Sequence, residues 1–410
     1  MNINLLKKRR KKLFGQLEDN ELALIFAASK PGDPDYPCYF LQDDNFLYFT
    51  GLEIPDAVFV FCKIKNKPVV HLFIERTIPE MVVWEGEKLT IDKAVKTSGI
   101  EKIFYLDEFE RKISMLLYPI SKCYVNIGSG NLNSLLSKQQ DFIKKTRDRF
   151  PHITFKDITD KMRPLRLIKD KWEVEQLRKA IDITGKGIVQ IMKKAQPGMK
   201  EYELEAILNY EVTKNGLRHM GFKSIIASGI NAATLHYMNN NSKIGKNDLI
   251  LLDVGAACNN YNADISRTFP VSGKFTPRQK AVYQEVLNIN KKIIEMVKPG
   301  IPLTKLNEKT VELITASLVK LKLITKKEDY KKYYMHNISH HLGMGAHDIG
   351  KRDSILEVGN VITVEPGIYI PGEKIGVRIE DDILVTKDGY KNLSIKIPKE
   401  IEELENIIRR

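Results

Sequence analysis

Cysteine is scarce in this chain. Its four copies, Cys38, Cys62, Cys123 and Cys258, are scattered and show no CxxC spacing. That excludes a dense disulfide scaffold and reads as reduced thiols in a cytoplasmic protein. Long apolar runs are missing too: no stretch approaches the ~18 uninterrupted apolar residues that a membrane span needs. The N-terminus, MNINLLKKRRKKLF, has no apolar core behind its charges, so a secretory signal is not expected. No stretch interleaves basic and aromatic residues as a groove for single-stranded nucleic acid would. Histidine is rare as well, at eight residues, which makes its clustering informative.

What is present is the composition of a globular protein. Apolar residues make up 43% and charged residues 29% of 410 positions, which excludes a mostly disordered chain and suggests two to three domains. The net charge is +13, and the block Lys7–Lys12 supplies six of those charges. The other lysines are spread thinly. The block reads as one solvated helical face, and neither a nucleic-acid nor a membrane partner is expected.

Residues 1–160 read as an α/β domain. After a basic helix, ELALIFAAS, FLYFTG, AVFVFCKI, PVVHLFI, SGIEKIFYL and SKCYVNIG read as strands. They are short, rich in aromatic and β-branched residues, and bounded by Gly, Pro and Asn. ERKISMLL and NSLLSKQQDFIKKTRD read as helices. The character changes near Lys161, where apolar residues take helical spacing over about 30 positions. Pro197-Gly198 then breaks one helix from the next. The same helix, Pro-Gly, helix order returns at Pro299-Gly300. This weak repeat predicts that residues 161–410 are built from two related halves.

Four segments of that second region carry chemistry. In DLILLDVGAACNNYNADISRTF, the midpoint between Asp253 and Asp264 lies between Cys258 and Asn259. A hairpin turning there sets the two aspartates directly opposite on one face. Opposed like charges destabilise a hairpin unless a bound cation neutralises them or the residues sit exposed in a turn. HNISHHLGMGAHD holds His336, His340, His341 and His347, half of the chain's histidines. His336 and His340 are one helical turn apart, although Gly343 and Gly345 argue for a loop soon after. The G-x-G here lacks a following GK[ST], so it is no phosphate loop. Glu365 ends an alternating strand in NVITVEPGIYI. Glu380 lies among apolar neighbours in GVRIEDDILVT, on the same strand face as Arg378. A carboxylate so placed needs a partner. Four carboxylates and one imidazole suit two hard or borderline divalent ions, Mn²⁺ first with Co²⁺ or Zn²⁺ as alternatives, better than a thiolate zinc site. The chemistry this predicts is metal-assisted hydrolysis.

The ordered set HY, DVGA, ADISRTF, HNISHHLGMGAHD, VEPGIY and RIEDD, over about residues 161–410, resembles the aminopeptidase P, prolidase and methionine aminopeptidase superfamily. YFLQDDNFLYFTGLEIPDAVFVF is similar to the N-terminal regulatory domain of bacterial aminopeptidase P. The resemblance implies an α/β (α+β) architecture: an N-terminal α/β domain over 1–160, then a pita-bread catalytic domain over 161–410. The latter would have pseudo-twofold halves around a curved antiparallel sheet. It implies that Asp253 chelates one metal, Asp264 and Glu380 bridge two, and His340 with Glu365 holds the other. It also implies roles for His236, His336, His347 and Arg378 at the substrate, and for Tyr369 near a proline pocket.

The activity implied is release of the N-terminal residue from peptides with proline second. A metal-bridging hydroxide would attack the carbonyl before proline, Glu365 would shuttle its proton, and His236 and His347 would steady the intermediate. Homo-oligomers, dimers or tetramers, are common in the family. The alternatives are prolidase, which cleaves only Xaa-Pro dipeptides, and a non-catalytic pita-bread module that binds peptides or nucleic acid. Three positions depart from the family pattern. His341 stands where relatives often have Trp or Phe, so residue type alone leaves His340 and His341 both open as the ligand, and spacing favours His340. Asn45 stands where bacterial aminopeptidases P often have Asp. The loops Asp348–Gly359 and Pro371–Gly376 look short and are expected to flank the site entrance.

Overall fold

Six strands of the first half share one sheet: β1 (Glu21–Phe26), β2 (Val58–Ile64), β3 (Lys67–Ile74), β4 (Ile103–Tyr105), β5 (Lys122–Val125) and β6 (Thr154–Asp157). The computed structural model describes residues 1–30, 40–128 and 134–408. Cys38, Tyr39 and Asn133, used in the sequence reading, lie outside them. The sheet order is β4-β3-β2-β1-β5-β6, with β1-β2 and β2-β3 antiparallel and the outer pairs parallel. All six residues of β1 are buried, the pattern of a central strand covered on both faces. Leu22, Leu24, Val60, Cys62, Phe73, Cys123 and Val125 pack with Ile113, Leu117 and Ile143 from flanking helices.

FLYFTG is not a strand. Residues Asp44–Thr50 form a helix. Asp43 Oδ1 caps it by accepting from Phe46 N at 2.8 Å. Gly51, at φ +67°, ends it with its N–H on Leu47 O. Phe46 to Thr50 are all buried, and an apolar run buried all round has no period by which to tell helix from strand. The caps decided it.

The basic block is not one solvated face either. Lys7, Lys8, Lys11 and Lys12 are exposed, but Arg9 and Arg10 are buried. Arg10 donates to Phe49 O at 2.7 Å and to Ser98 O at 2.9 Å. Those carbonyls close the helices Asp44–Thr50 and Ile91–Ser98, where a cation satisfies acceptors left over at a helix C-terminus. Burial lowers its pKa to about 10. Arg9 lies 4.0 Å from the Tyr48 ring centroid and donates to Tyr48 O. Arg10→Ala is expected to cost about 2–3 kcal/mol in a urea titration, since hydrogen bonds from a charged donor contribute that much. A surface lysine such as Lys12→Ala should stay within about 0.5 kcal/mol.

The chain divides into two units, Met1–Leu165 and Arg166–Arg410. The division falls five residues beyond the boundary at residue 160 that the sequence suggests. In the second unit the helix Lys171–Lys194 packs on Glu201–Lys214, and Pro277–Met296 packs on Leu303–Lys320. The two Pro-Gly breaks repeat in atomic detail. Gly198 and Gly300 both take positive φ, +95° and +83°, a conformation open to glycine at little cost. Their N–H groups bond Ile244 O and Leu356 O, each at 2.8 Å. Two residues on, matching bridges form at Lys200↔Lys243 and Pro302↔Ile355. The two halves are therefore the same motif used twice.

The strands of this unit are β7 (His219–Met220), β8 (Ile225–Ser228), β9 (Leu249–Val254), β10 (Ala256–Cys258), β11 (Tyr261–Asn262), β12 (Ile265–Pro270), β13 (Val361–Val364), β14 (Gly367–Ile370), β15 (Ile375–Arg378), β16 (Asp381–Thr386) and β17 (Gly389–Asn392). They form four short antiparallel ladders, β11-β10-β7, β12-β9-β8, β13-β16-β17 and β14-β15. The turn joining β10 to β11 is Asn259-Asn260, with both residues at positive φ, as a two-residue type I′ hairpin requires. That moves the register. Ser266, not Asp264, pairs with Asp253. A slip of two residues keeps side chains on the same face, so the two aspartates are diagonal neighbours. No helix is long and apolar enough to cross a membrane among the described residues.

Candidate metal centre and active-site cleft

A cleft of about 870 Å³ opens in the second unit. Its lining includes His236, Asp253, Asp264, His336, His340, His347, Glu365, Arg378 and Glu380. Asp253 comes from β9, Asp264 precedes β12, Glu365 follows β13, and Glu380 links β15 to β16. The histidine segment is not helical. Ser339 and His340 run as irregular chain, His341 bridges to Ile362, and His340 N donates to Thr363 Oγ1. This contact lays the segment along β13 and turns His340 into the cleft.

Asp264, His340 and Glu380 form the tightest group, with one donor atom of each within 4.8 Å of the others. His340 Nε2 lies 3.5 Å from both Asp264 Oδ2 and Glu365 Oε1. Glu380 Oε2 accepts from Ser266 Oγ at 2.8 Å. Asp253 sits beside this group with Oδ2 on Arg378 Nη2 at 2.6 Å; its Oδ1 is buried without a hydrogen bond. Arg378 also donates to Tyr369 OH at 3.0 Å and Ser266 Oγ at 2.8 Å. Tyr369 OH meets His336 Nε2 at 2.9 Å. Tyr369 is fully buried and does not line the cleft. His347 stacks edge-on against His340 at 4.3 Å.

His341 also lines the cleft and is buried with both ring nitrogens unpartnered. It is His340 whose Nε2 lies within 3.5 Å of Asp264 and Glu365. The loop after His347 is held by a buried ion cluster: Asp348 accepts from Arg166 at 2.8 Å and Lys169 at 3.1 Å. A Cβ on Gly343 would sit 2.1 Å from Asp348 Oδ2, so glycine is required there. Lys351 and Arg352 of the loop Asp348–Gly359 line the cleft, but no residue of Pro371–Gly376 does. That segment closes the β14-β15 hairpin at the end away from Glu365 and Arg378.

Electrostatics in the cleft are strained by carboxylate crowding. Burial, then the charges of Asp253, Asp382 and Glu365, holds the Asp264 carboxyl well above its usual range. Glu380 is raised well above its range by burial and by Asp264 and Glu365. Burial lifts Glu365 to about 8, against the opposing pull of Arg378. His340 is lowered to about 3 by burial and His347, and His336 to about 4 by burial and Arg378. Arg378 is raised well above its ordinary value by Tyr369, Asp253 and Glu380, although burial opposes this. Three carboxyls that resist ionisation, a neutral imidazole and an unpartnered Asp253 oxygen together form an oxygen-rich donor set. Divalent cations fit it, because they neutralise the repulsion and take up the free oxygen.

Residues 175–387 match metallopeptidase family M24, and residues 6–124 match the aminopeptidase P N-terminal domain. The chain belongs to metallopeptidase family M24. A curated Xaa-Pro aminopeptidase of Escherichia coli strain K12 is 33% identical, over 98% of this chain and 97% of its own length. A Bacillus anthracis structure described as a candidate aminopeptidase P superposes with TM-score 0.96 at 39% identity, covering 100% of this chain and 98% of that one. Aminopeptidase P from Escherichia coli, in a low-pH form, gives TM-score 0.92 at 30% identity, covering 100% and 98%. The two helix-Pro-Gly-helix halves of this M24 chain are those of the pita-bread fold.

Some residues that shape the M24 cleft gave no signal in the sequence. Glu201 reads as an ordinary first-turn acid. It is fully buried and accepts from Ser228 N and Oγ, Asn231 Nδ2, Tyr237 OH and Ser242 N. These five bonds span 2.7–3.0 Å and gather the irregular segment that carries exposed His236 to the cleft. Only spatial neighbours 27 to 41 positions away reveal this.

Proposed function

We propose that this chain is an Xaa-Pro aminopeptidase: a metal-dependent exopeptidase that removes the first residue from peptides whose second residue is proline. The observation that carries the reading is the convergence of Asp264, His340 and Glu380, with Asp253 and Glu365 beside them, in one cleft. Relatives from Haemophilus influenzae and Escherichia coli that cover 98% of the chain are named Xaa-Pro aminopeptidase. One Escherichia coli aminopeptidase P structure contains the inhibitor Pro-Leu, and a Zn-substituted one contains product.

Asp253, Asp264, His340, Glu365 and Glu380 would hold two divalent ions, Mn²⁺ in our reading, with Co²⁺ or Zn²⁺ able to replace it. When bound, such ions supply Lewis acidity and lower the pKa of a water toward neutrality. The chain's own groups do the rest. His340 is neutral at physiological pH and so offers a lone pair. Glu365 is the proton carrier, accepting at its carboxylate from the attacking water and passing the proton to the proline nitrogen that leaves. His236 and His347, which line the cleft, would donate to the substrate carbonyl as negative charge grows on its oxygen. His336, Tyr369 and Arg378 form one hydrogen-bonded chain behind Asp253 and orient it. An Xaa-Pro bond has no N–H, so recognition must come from ring shape and from the free amine.

The same reading makes residues 1–160 a regulatory domain and 161–410 the peptidase, assembling as a dimer or tetramer. Cytoplasmic residence is supported by Cys62, Cys123 and Cys258, which are unpaired and buried, with burial pushing Cys62 up to about 12. The test uses the full chain stripped with a chelator and reloaded with Mn²⁺, Co²⁺ or Zn²⁺ singly. Three peptides are assayed: Xaa-Pro, Xaa-Pro-Yaa-Yaa, and the longer one N-acetylated. Metal-dependent release of the first residue from the free longer peptide, but not from the acetylated one, is expected. Cleavage restricted to the dipeptide would make it a prolidase, and no cleavage with any metal would make it a binding module.

A further inference from the structure

Glu365 follows β13 and Glu380 precedes β16, strands that pair antiparallel with Val364 opposite Asp381. The two glutamates therefore face each other one residue past the last pair of that ladder, where the strand pairing no longer fixes their spacing. The peptide groups just ahead of the two glutamates share one donor. Asn290 Nδ2 donates to Val364 O at 3.1 Å and to Ile379 O at 3.2 Å. Asn290 is fully buried on the helix Pro277–Met296. Its Oδ1 accepts from Lys399 Nζ at 2.7 Å. Both N–H groups and the oxygen of the amide are thus used.

The bonds continue to the far side of Glu380. Lys399 Nζ also bonds the Asp381 carboxylate. Asp381 Oδ1 accepts from Arg267 Nη2 at 2.8 Å. Arg267 Nη1 donates to Glu380 O at 2.5 Å and to Ser266 O at 2.9 Å. The carbonyl before Glu380 and its own carbonyl are held by one network built from residues 267, 290, 381 and 399. Only a neutral side chain with two N–H groups on one nitrogen and an acceptor beside it can do this without adding charge. Arginine or lysine would place a third cation beside Arg267 and Lys399.

We propose that Asn290 is a positioning residue of the metal centre: by tying Val364 O and Ile379 O to one amide nitrogen it clamps the open end of the β13-β16 ladder and holds the separation of Glu365 and Glu380. The proposal rests on reading those two glutamates as metal ligands. Such a site must be held to about 0.5 Å to bind well, and loss of an outer partner typically weakens metal binding about 10–100-fold.

The test substitutes Asn290→Leu, which conserves volume and removes both donors. The full-length protein, stripped with chelator, is titrated with Mn²⁺ by calorimetry, and its unfolding is followed without metal. The expected result is a folded chain with about 10–100-fold weaker Mn²⁺ binding, and a kcat that falls while KM stays within about threefold. Wild-type Mn²⁺ affinity in a folded variant, with only Tm lowered, would assign Asn290 to stability alone and overturn the proposal. If that variant does not fold, Lys399→Met decides. It leaves Asn290 in place but releases its oxygen, so Mn²⁺ binding should weaken by about threefold or more, and an unchanged affinity overturns the proposal. Glu380→Gln is run beside them. Its loss of Mn²⁺ binding identifies the site. Retention would show that the ligand reading, and with it the proposal's premise, has failed for a reason separate from Asn290.

Discussion

Asp264→Asn is expected to abolish turnover and, at the same time, to raise the thermal stability of the metal-free chain. Asp264 is 6% exposed, and its carboxyl faces Asp253, Asp382 and Glu365. Without a cation, an ionised group there is both desolvated and repelled, so the folded state holds a proton on it. Asparagine has the same shape and no charge to suppress. It keeps the main-chain N–H that donates to Asp382 Oδ2. The metal-free variant should therefore melt a few degrees above metal-free wild type at pH 8, since about 1 kcal/mol moves Tm by roughly 2–4 °C in a folding unit the size of Arg166–Arg410. The same change removes a donor from the tightest group in the cleft. Turnover of an Xaa-Pro-Yaa-Yaa peptide should drop at least about 10³-fold, some 4 kcal/mol of transition-state stabilisation. Metal content by mass spectrometry should fall, and added Mn²⁺ should no longer stabilise. Wild-type-like turnover with metal content unchanged would remove Asp264 from the centre. A site that costs stability until it is filled is the expected signature of function against fold.

How much of this was legible in the sequence depended on the distance over which each residue acts. Asp253 and Asp264 share a hairpin, so period-two reasoning put them on one face, although the Asn259-Asn260 turn shifted the pairing from Asp264 to Ser266. Neither residue of that turn is glycine, and the two-residue loop was placed one position early. The histidine segment stood out by composition, but its backbone did not: His336 and His340 share the cleft through contact with β13, not through a helical turn. Between His340 and His341 residue type is silent and spacing favours His340, the imidazole that lies 3.5 Å from Asp264 and Glu365. Arg9 and Arg10 were hidden inside a run of like residues. Their partners, Tyr48, Phe49 and Ser98, lie 39 to 88 positions away. Glu201 and Asn290 were invisible for the same reason. Each acts on main-chain or side-chain groups brought near by tertiary packing, and no local pattern marks a buried acid or amide that serves distant atoms.

The metal-free chain is expected to lose stability as pH rises from about 6.5 to about 8, and bound metal is expected to reverse that slope. Three sets of groups titrate differently on folding. Asp381 is lowered to about 2, against burial, by Arg267 and Lys399, so its contribution is complete above its unfolded value of 3.8 and is lost only in acid. His336, His340 and His341 are lowered to about 4, 3 and 4, chiefly by burial. The folded state binds fewer protons there than the unfolded state, so these histidines destabilise as pH falls below 6.5 and are neutral in both states above it. Asp264, Glu365 and Glu380 are raised. For Glu365 the stabilising proton is fully held below the unfolded value of 4.5 and is lost as pH passes through about 8. Between 6.5 and 8 the carboxyls therefore act alone, and Tm of the stripped chain should decline steadily across that window. Cations compete with those same protons, so Mn²⁺ binding should strengthen with pH and release protons. Calorimetric melts at pH 6.5, 7.25 and 8, with and without Mn²⁺, test the slope. Titration enthalpies in buffers of different ionisation heat count the protons displaced. A stripped chain whose Tm is flat or rising across the window would mean that the carboxyls are already ionised without metal, and that something other than a proton or a cation neutralises the cluster.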